Sequence, residues 1–130
     1  MGDNGTAAVM EGCLQALLDR GDFARFFALD VTWTSMDTGD QVVGPEAVRD
    51  LIVALHTQMF DASPMFVGLL TGDGTAMLAA RFVGRHTGQF GDVAPTGRSV
   101  DLPYAVSYDR RDGKITALRG YLPLAALRAS

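Results

Sequence analysis

Two Asp-Gly pairs, Asp73-Gly74 and Asp112-Gly113, constrain this chain more than any other feature of it. Asp-Gly between two runs rich in apolar and β-branched residues is a strong hairpin signal. A two-residue return turn needs left-handed backbone, which aspartate tolerates and glycine adopts freely. The first pair separates "PMFVGLL" from "TAMLAARFVGRHTG", and the second separates "RSVDLPYAVSYDR" from "ITALRGYLPL". The second half of the chain therefore reads as long antiparallel strands. Pro103 cannot donate to a ladder, so it marks an edge, a bulge or a bend.

The first half has a different period. From Ala7 to Arg20, Met10, Cys13, Leu14, Leu17 and Leu18 recur at helical spacing, and Gly21 is the expected stop. Asp22 to Ala28 reads as a short second helix with the aspartate as N-cap. Val31 to Met36 alternates and is a strand, with "QVV" as a short return strand. "GPEAVRDLIVALHTQMF" is a third helix, with proline in the first turn and Glu46 facing the positive end. Val48, Leu51, Ile52, Leu55 and Met59 form its buried stripe, and His56 is expected to face solvent. The sum is α+β: three helices of the N-terminal half packed on one face of a strongly curved mixed or antiparallel sheet. Residues 1–130 are expected to form a single domain, long enough for one core.

Charge and composition exclude several roles. A formal net charge of −4 argues against nucleic acid as a partner. No apolar run approaches the roughly 18 residues needed to cross a membrane, and the start lacks the basic region of a secretory signal. A cytoplasmic location is the expectation. Cys13 is the sole cysteine, expected to be buried and inert, so no intrachain disulfide forms. Two histidines far apart in sequence give no metal-ligand spacing, and no phosphate-cradling glycine loop is present. Neither a metal nor another cofactor is expected.

One ordered set of residues is more specific. Gly84, His86, Thr87, Gly88 and Phe90 are followed by Pro95, Thr96, Gly97 and Arg98, then by Asp112, Gly113, Lys114 and Ile115. With the order of elements, this resembles the SnoaL-like polyketide cyclases within the nuclear transport factor 2-like superfamily. The resemblance implies a cone-shaped fold, a deep pocket for one small apolar molecule, and a cofactor-independent cyclase or isomerase. It also implies a homodimer formed through the outer sheet face, where Met77, Ala79 and Val83 lie beside Arg81 and Arg85. In the family, an acid on the strand after the Pro-Thr-Gly loop works with the histidine; the matching position here is Val106. The first-strand aspartate of the related ketosteroid isomerases matches Ser35. The frequent final-strand Trp-Asp matches Arg119 and Gly120.

The candidate machinery follows. His86, with an ordinary pKa of about 6.5, is the candidate general base. Tyr104 can donate to a developing enolate oxygen, and Arg119 can hold a carboxylate or polarise a carbonyl. Asp30 and Asp37, flanking the first strand, are candidates to replace the missing acid, and Asp101 can orient the histidine if the strand phase shifts at Pro103. Strand alternation groups Phe82 and Gly84 with His86, and Leu102, Val106 and Tyr108 with Tyr104. It likewise groups Ala117 and Tyr121 with Arg119. Trp33, Met59, Phe60, Phe82, Val106, Tyr108 and Tyr121 are the candidate ligand-binding walls. Such a set suits proton transfer beside a carbonyl: isomerisation, cyclisation or dehydration of an apolar polyketide- or steroid-like ligand. A non-catalytic ligand-binding or scaffold protein that has lost the family carboxylates is the alternative.

Overall fold

A computed structural model describes residues 2–36, 39–89 and 94–121, with side chains from residue 7 onward. Helix α1 spans Gly2–Leu18 and helix α2 spans Pro45–Ala54. The strands are β1 (Phe27–Ser35), β2 (Gln41–Val43), β3 (Phe60–Gly72), β4 (Thr75–His86), β5 (Ser99–Arg111) and β6 (Lys114–Tyr121). They form one sheet in the order β2-β1-β6-β5-β4-β3. The β1–β6 pairing is parallel and the others are antiparallel, so the sheet is mixed. No helix among the described residues is long and apolar enough to cross a membrane.

Both Asp-Gly pairs make two-residue turns, with Gly72 opposite Thr75 and Arg111 opposite Lys114. At the second turn Asp112 (φ 55°) and Gly113 (φ 78°) are both left-handed, as a primed hairpin turn requires; at the first only Gly74 (φ 78°) is. Pro103 does not break the phase. The β4–β5 register runs without a shift from Arg85–Ser99 to Thr75–Asp109, with Pro103 opposite Arg81. On the other edge the described β5–β6 pairing begins at Ala105–Tyr121, beyond Pro103, so the missing N–H interrupts no described rung.

Among the described residues there are two α-helices rather than three. Phe23–Phe26 winds as a single 3₁₀ turn, and Asp22 makes no side-chain capping bond. Four residues without a cap cannot sustain helix nucleation. Phe23 and Phe27 are instead both buried, in edge-on contact at 6.0 Å, and Phe27 pairs with Ile115 as the strand begins.

The end of α1 also differs from expectation. Gly21 N–H bonds Ala16 O at 2.8 Å and Arg20 N–H bonds Leu17 O at 3.1 Å, the paired bonds of a Schellman end. The left-handed residue in that motif is Arg20 (φ 54°), one position before the glycine.

The helices cover one face of the sheet. Met10, Cys13 and Leu14 of α1 and Val48 and Ile52 of α2 share a core with Leu78, Val106, Ile115 and Leu118 from the sheet. Burial pushes the Cys13 thiol up to about 12, so it is not a thiolate at neutral pH. A second cluster, Phe60, Ala62, Phe82 and Val100, closes the end of the sheet where β3 meets the last residues of β4. On the opposite face Met65, Val67, Leu70 and Met77 are exposed.

Candidate functional site

An inner cavity of about 60 Å³ lies between the helices and the sheet. Tyr104, Val106 and Tyr108 of β5 face it from alternate positions, joined by Leu78 and Phe82 of β4 and Leu118 and Gly120 of β6. Trp33 closes the β1 side, its indole N–H donating to Ser35 Oγ at 3.1 Å. Gly120 makes that placement possible: a β-carbon there would lie 2.7 Å from the Trp33 Cη2 atom. Burial pushes the Tyr104 phenol up to about 12 and that of Tyr108 well above its ordinary value. Both phenols therefore carry their protons at neutral pH and can donate them in hydrogen bonds. No aspartate or glutamate is found among the described wall residues.

The histidine of this wall is His56. It sits in a π-helical turn, Leu55–Met59, that continues α2. A π-turn shifts backbone bonding from the fourth to the fifth residue, leaving carbonyls at its start for other donors. Two side chains meet them: Thr57 Oγ donates to Val53 O at 2.7 Å, and His56 Nδ1 lies 2.8 Å from Ile52 O. A carbonyl only accepts, so His56 carries its proton on Nδ1 and Nε2 holds a lone pair. That Nε2 is buried with no hydrogen-bond partner among the described residues. Desolvation lowers the His56 pKa, the Ile52 bond opposes the shift, and the charge of Arg20 adds to it. The ring packs edge-on against Phe82 at 5.3 Å. The expectation that His56 faces solvent is thus corrected.

His56 also borders a second, outer cavity of about 140 Å³ between the end of α1, the end of α2 and the start of β3. Leu17, Ile52 and His56 are common to both walls.

His86 occupies a different place. It is fully buried at the end of β4, where it stacks on Phe60 at 4.9 Å, and it borders neither cavity. Thr96 N–H donates to its Nδ1 at 3.3 Å, and Thr96 Oγ lies 3.1 Å from the same atom. Nδ1 is therefore the acceptor, and the proton sits on Nε2, which has no partner among the described residues. The two histidines hold opposite tautomers: His56 presents a buried lone pair and His86 a buried N–H. The backbone around His86 is tied as well, His86 N–H to Arg98 O and Gly97 N–H to His86 O, each at 2.9 Å.

The remaining sequence candidates fall in different places. Trp33, Phe82, Tyr104, Val106, Tyr108 and Tyr121 border the inner cavity, whereas Met59 and Phe60 pack with the cluster around His86. Arg119 lies on the opposite side of β6 from Leu118 and Gly120. Its guanidinium pairs with Asp109 at 2.7 Å and reaches Ser107 Oγ at 3.4 Å. Placing Arg119 toward the hollow is corrected on that ground: its neighbours Leu118 and Gly120 line the cavity instead. Asp101 bonds Arg81 at 2.6 Å and Asp30 is exposed, 4.0 Å from Arg111, so neither reaches the cavity. Asp37 and Phe90 lie outside the described residues.

The family model for SnoaL-like polyketide cyclases matches residues 8–129. No curated protein sequence matches the chain. Among solved structures, a proposed SnoaL-like polyketide cyclase from Jannaschia sp. CCS1 superposes with a TM-score of 0.84 at 17% identity, over 98% of this chain and 91% of that one. A proposed polyketide cyclase from Xanthomonas campestris pv. campestris gives 0.82 at 17% identity, over 99% and 98%. A protein with a ketosteroid isomerase-like fold from Catenulispora acidiphila DSM 44928, in complex with trimethylamine, gives 0.74 at 16% identity, over 93% and 89%. At these identities the likeness is one of fold.

Proposed function

This chain belongs to the SnoaL-like polyketide cyclase family, and from that premise we propose that it is a small-molecule cyclase or isomerase that moves a proton beside a carbonyl in the inner cavity. His56 is the base in this reading. The observation that carries it is the Nε2 lone pair of a histidine in this wall, buried with no hydrogen-bond partner among the described residues. The proton leaves the carbon next to the carbonyl for Nε2. The C–H electron pair moves into the enolate, and the charge gathers on oxygen. Protonated Tyr104 or Tyr108 donates a hydrogen bond to that oxygen, where a dry site strengthens it. The imidazolium then returns the proton to the γ-carbon of a conjugated enone, completing an isomerisation, or the enolate carbon attacks a second carbonyl and the alkoxide so formed takes the proton from the imidazolium, completing a ring. Trp33, Phe82 and Val106 hold the apolar body of the ligand. His86 holds Thr96 through its ring rather than handling protons, and Arg119 stays outside the reaction.

The test needs no knowledge of the natural substrate. Cyclohexanone in deuterated buffer loses its α-protons by enolisation, and NMR follows the loss. Wild type is expected to accelerate the exchange, and His56→Gln to lower that acceleration roughly 10²-fold, the usual scale of one general base. Equal rates for the two proteins sink the assignment.

A second reading, a non-catalytic binder, is favoured by the lack of a carboxylate among the described wall residues. Saturable cyclohexanone binding without any accelerated exchange selects it. We also propose a homodimer formed through the outer sheet face, supported by the exposed Met65, Val67, Leu70 and Met77.

A further inference from the structure

We propose that the outer cavity is a separate binding site for a compact apolar monocarboxylate, with Arg20 as its counter-ion. The cavity, about 140 Å³, is walled by Leu17, Phe23, Ile52, Ala62 and Pro64, a surface for a small hydrocarbon body. Its polar rim holds Arg20, His56, Thr57 and Ser63, and no acid is among the described lining residues. The Thr57 hydroxyl proton is committed to Val53 O, and His56 Nδ1–H to Ile52 O. The donors left for an anion are therefore the Arg20 guanidinium and the Ser63 hydroxyl. A guanidinium is the side chain best matched to a carboxylate, because its fork engages both oxygens.

Arg20 is placed there against the preference of the backbone. The closing residue of a Schellman end is left-handed and normally glycine, since a β-carbon is unfavourable at that φ. Here the glycine follows one residue later, and an arginine holds the left-handed position (φ 54°). Its guanidinium forms no ion pair or hydrogen bond with the described residues, whereas Arg49, Arg81, Arg111 and Arg119 each pair with an aspartate. Helix termination would be served at least as well by glycine. What arginine adds is an exposed cation on the lip of an apolar hollow. The charge of Arg20 also reaches His56 across the rim.

The inference stands whether or not the inner cavity catalyses proton transfer, so its test is equilibrium binding. Cyclohexanecarboxylate and its neutral amide are titrated into wild type and into Arg20→Gly, in low salt, by calorimetry. Wild type is expected to bind the carboxylate at least tenfold more tightly than the amide. Arg20→Gly is expected to lose that preference while melting no lower than wild type, because glycine suits the left-handed position. Tyr104→Phe, which removes a proposed donor of the inner cavity and no group of the outer wall, is expected to keep the preference. Equal wild-type affinity for acid and amide, or no binding of the acid, overturns the proposal. So does an undiminished preference in Arg20→Gly.

Discussion

A buried histidine is informative at the scale of single atoms, because the partner of one ring nitrogen decides what the other can do. At His56 the Ile52 carbonyl takes Nδ1–H and leaves a lone pair on Nε2. Burial lowers the His56 pKa below its ordinary value of 6.5, so the folded protein binds a proton there less readily than the unfolded chain. The sign follows directly. As pH falls through about 6.5 the unfolded state gains a proton that the folded state refuses, and stability drops until the lowered folded value is passed. Urea denaturation between pH 7.5 and 5 is expected to show this decline, and His56→Gln to flatten it. An unchanged slope in the variant places the titration elsewhere. Thr96→Val removes a hydroxyl beside His86 Nδ1 but keeps the backbone donor. It is expected to cost about 0.5–1.5 kcal/mol, with faster amide exchange at Gly97, whose N–H bonds the His86 carbonyl. Part of this was legible in advance. His56 stands four residues after Ile52, so it continues the buried stripe of α2, and that spacing was the available signal. What a one-dimensional pattern could not disclose was the π-turn that frees a carbonyl to hold its ring.

Among the elements, the hairpins were the most legible, because Asp-Gly turns act locally and no distant contact overrides them. The phase of β5 was equally readable, since Pro103 faces no described rung on its β6 edge and leaves the alternation intact. The expected helix at Asp22 to Ala28 was not, because Phe23 in the 3₁₀ turn and Phe27 at the start of β1 bury against each other. The inward face of β6 was also hidden. Arg119 looked like a functional position, yet its neighbour Gly120 is the residue at the cavity wall, and it works by having no side chain. Gly120→Ala drives a methyl into the Trp33 ring between two hydrogen-bonded strands. It is expected to destabilise by about 1–3 kcal/mol, the range for overpacking, read by urea titration with circular dichroism. A loss below 0.5 kcal/mol shows that the indole moves aside readily.

For the molecule as a whole, one sheet separates two environments. Its inner face carries the helices and both cavities. Its outer face shows Leu70 at 75% exposure, opposite Met77 across the β3–β4 ladder. If two copies meet there, Leu70→Asp buries two charges across the symmetry axis without touching either cavity. Sedimentation is expected to show a dimer for wild type and a shift to monomer for the variant, with carboxylate binding at the outer cavity retained. A monomeric wild type at tens of micromolar removes the dimer proposal. The whole-molecule arrangement was legible only through an ordered set of short motifs, since the parallel β1–β6 pairing joins segments far apart in the chain.

Trp33 is the only tryptophan in the 130 residues, and its indole forms part of the inner cavity wall. The chain therefore carries a built-in optical gauge of that chamber. Its ultraviolet emission should change in wavelength or intensity when a guest displaces whatever surrounds the ring, and stay constant when only the outer hollow fills. One spectrum can thus report which of the two compartments a compound has entered, with no label attached.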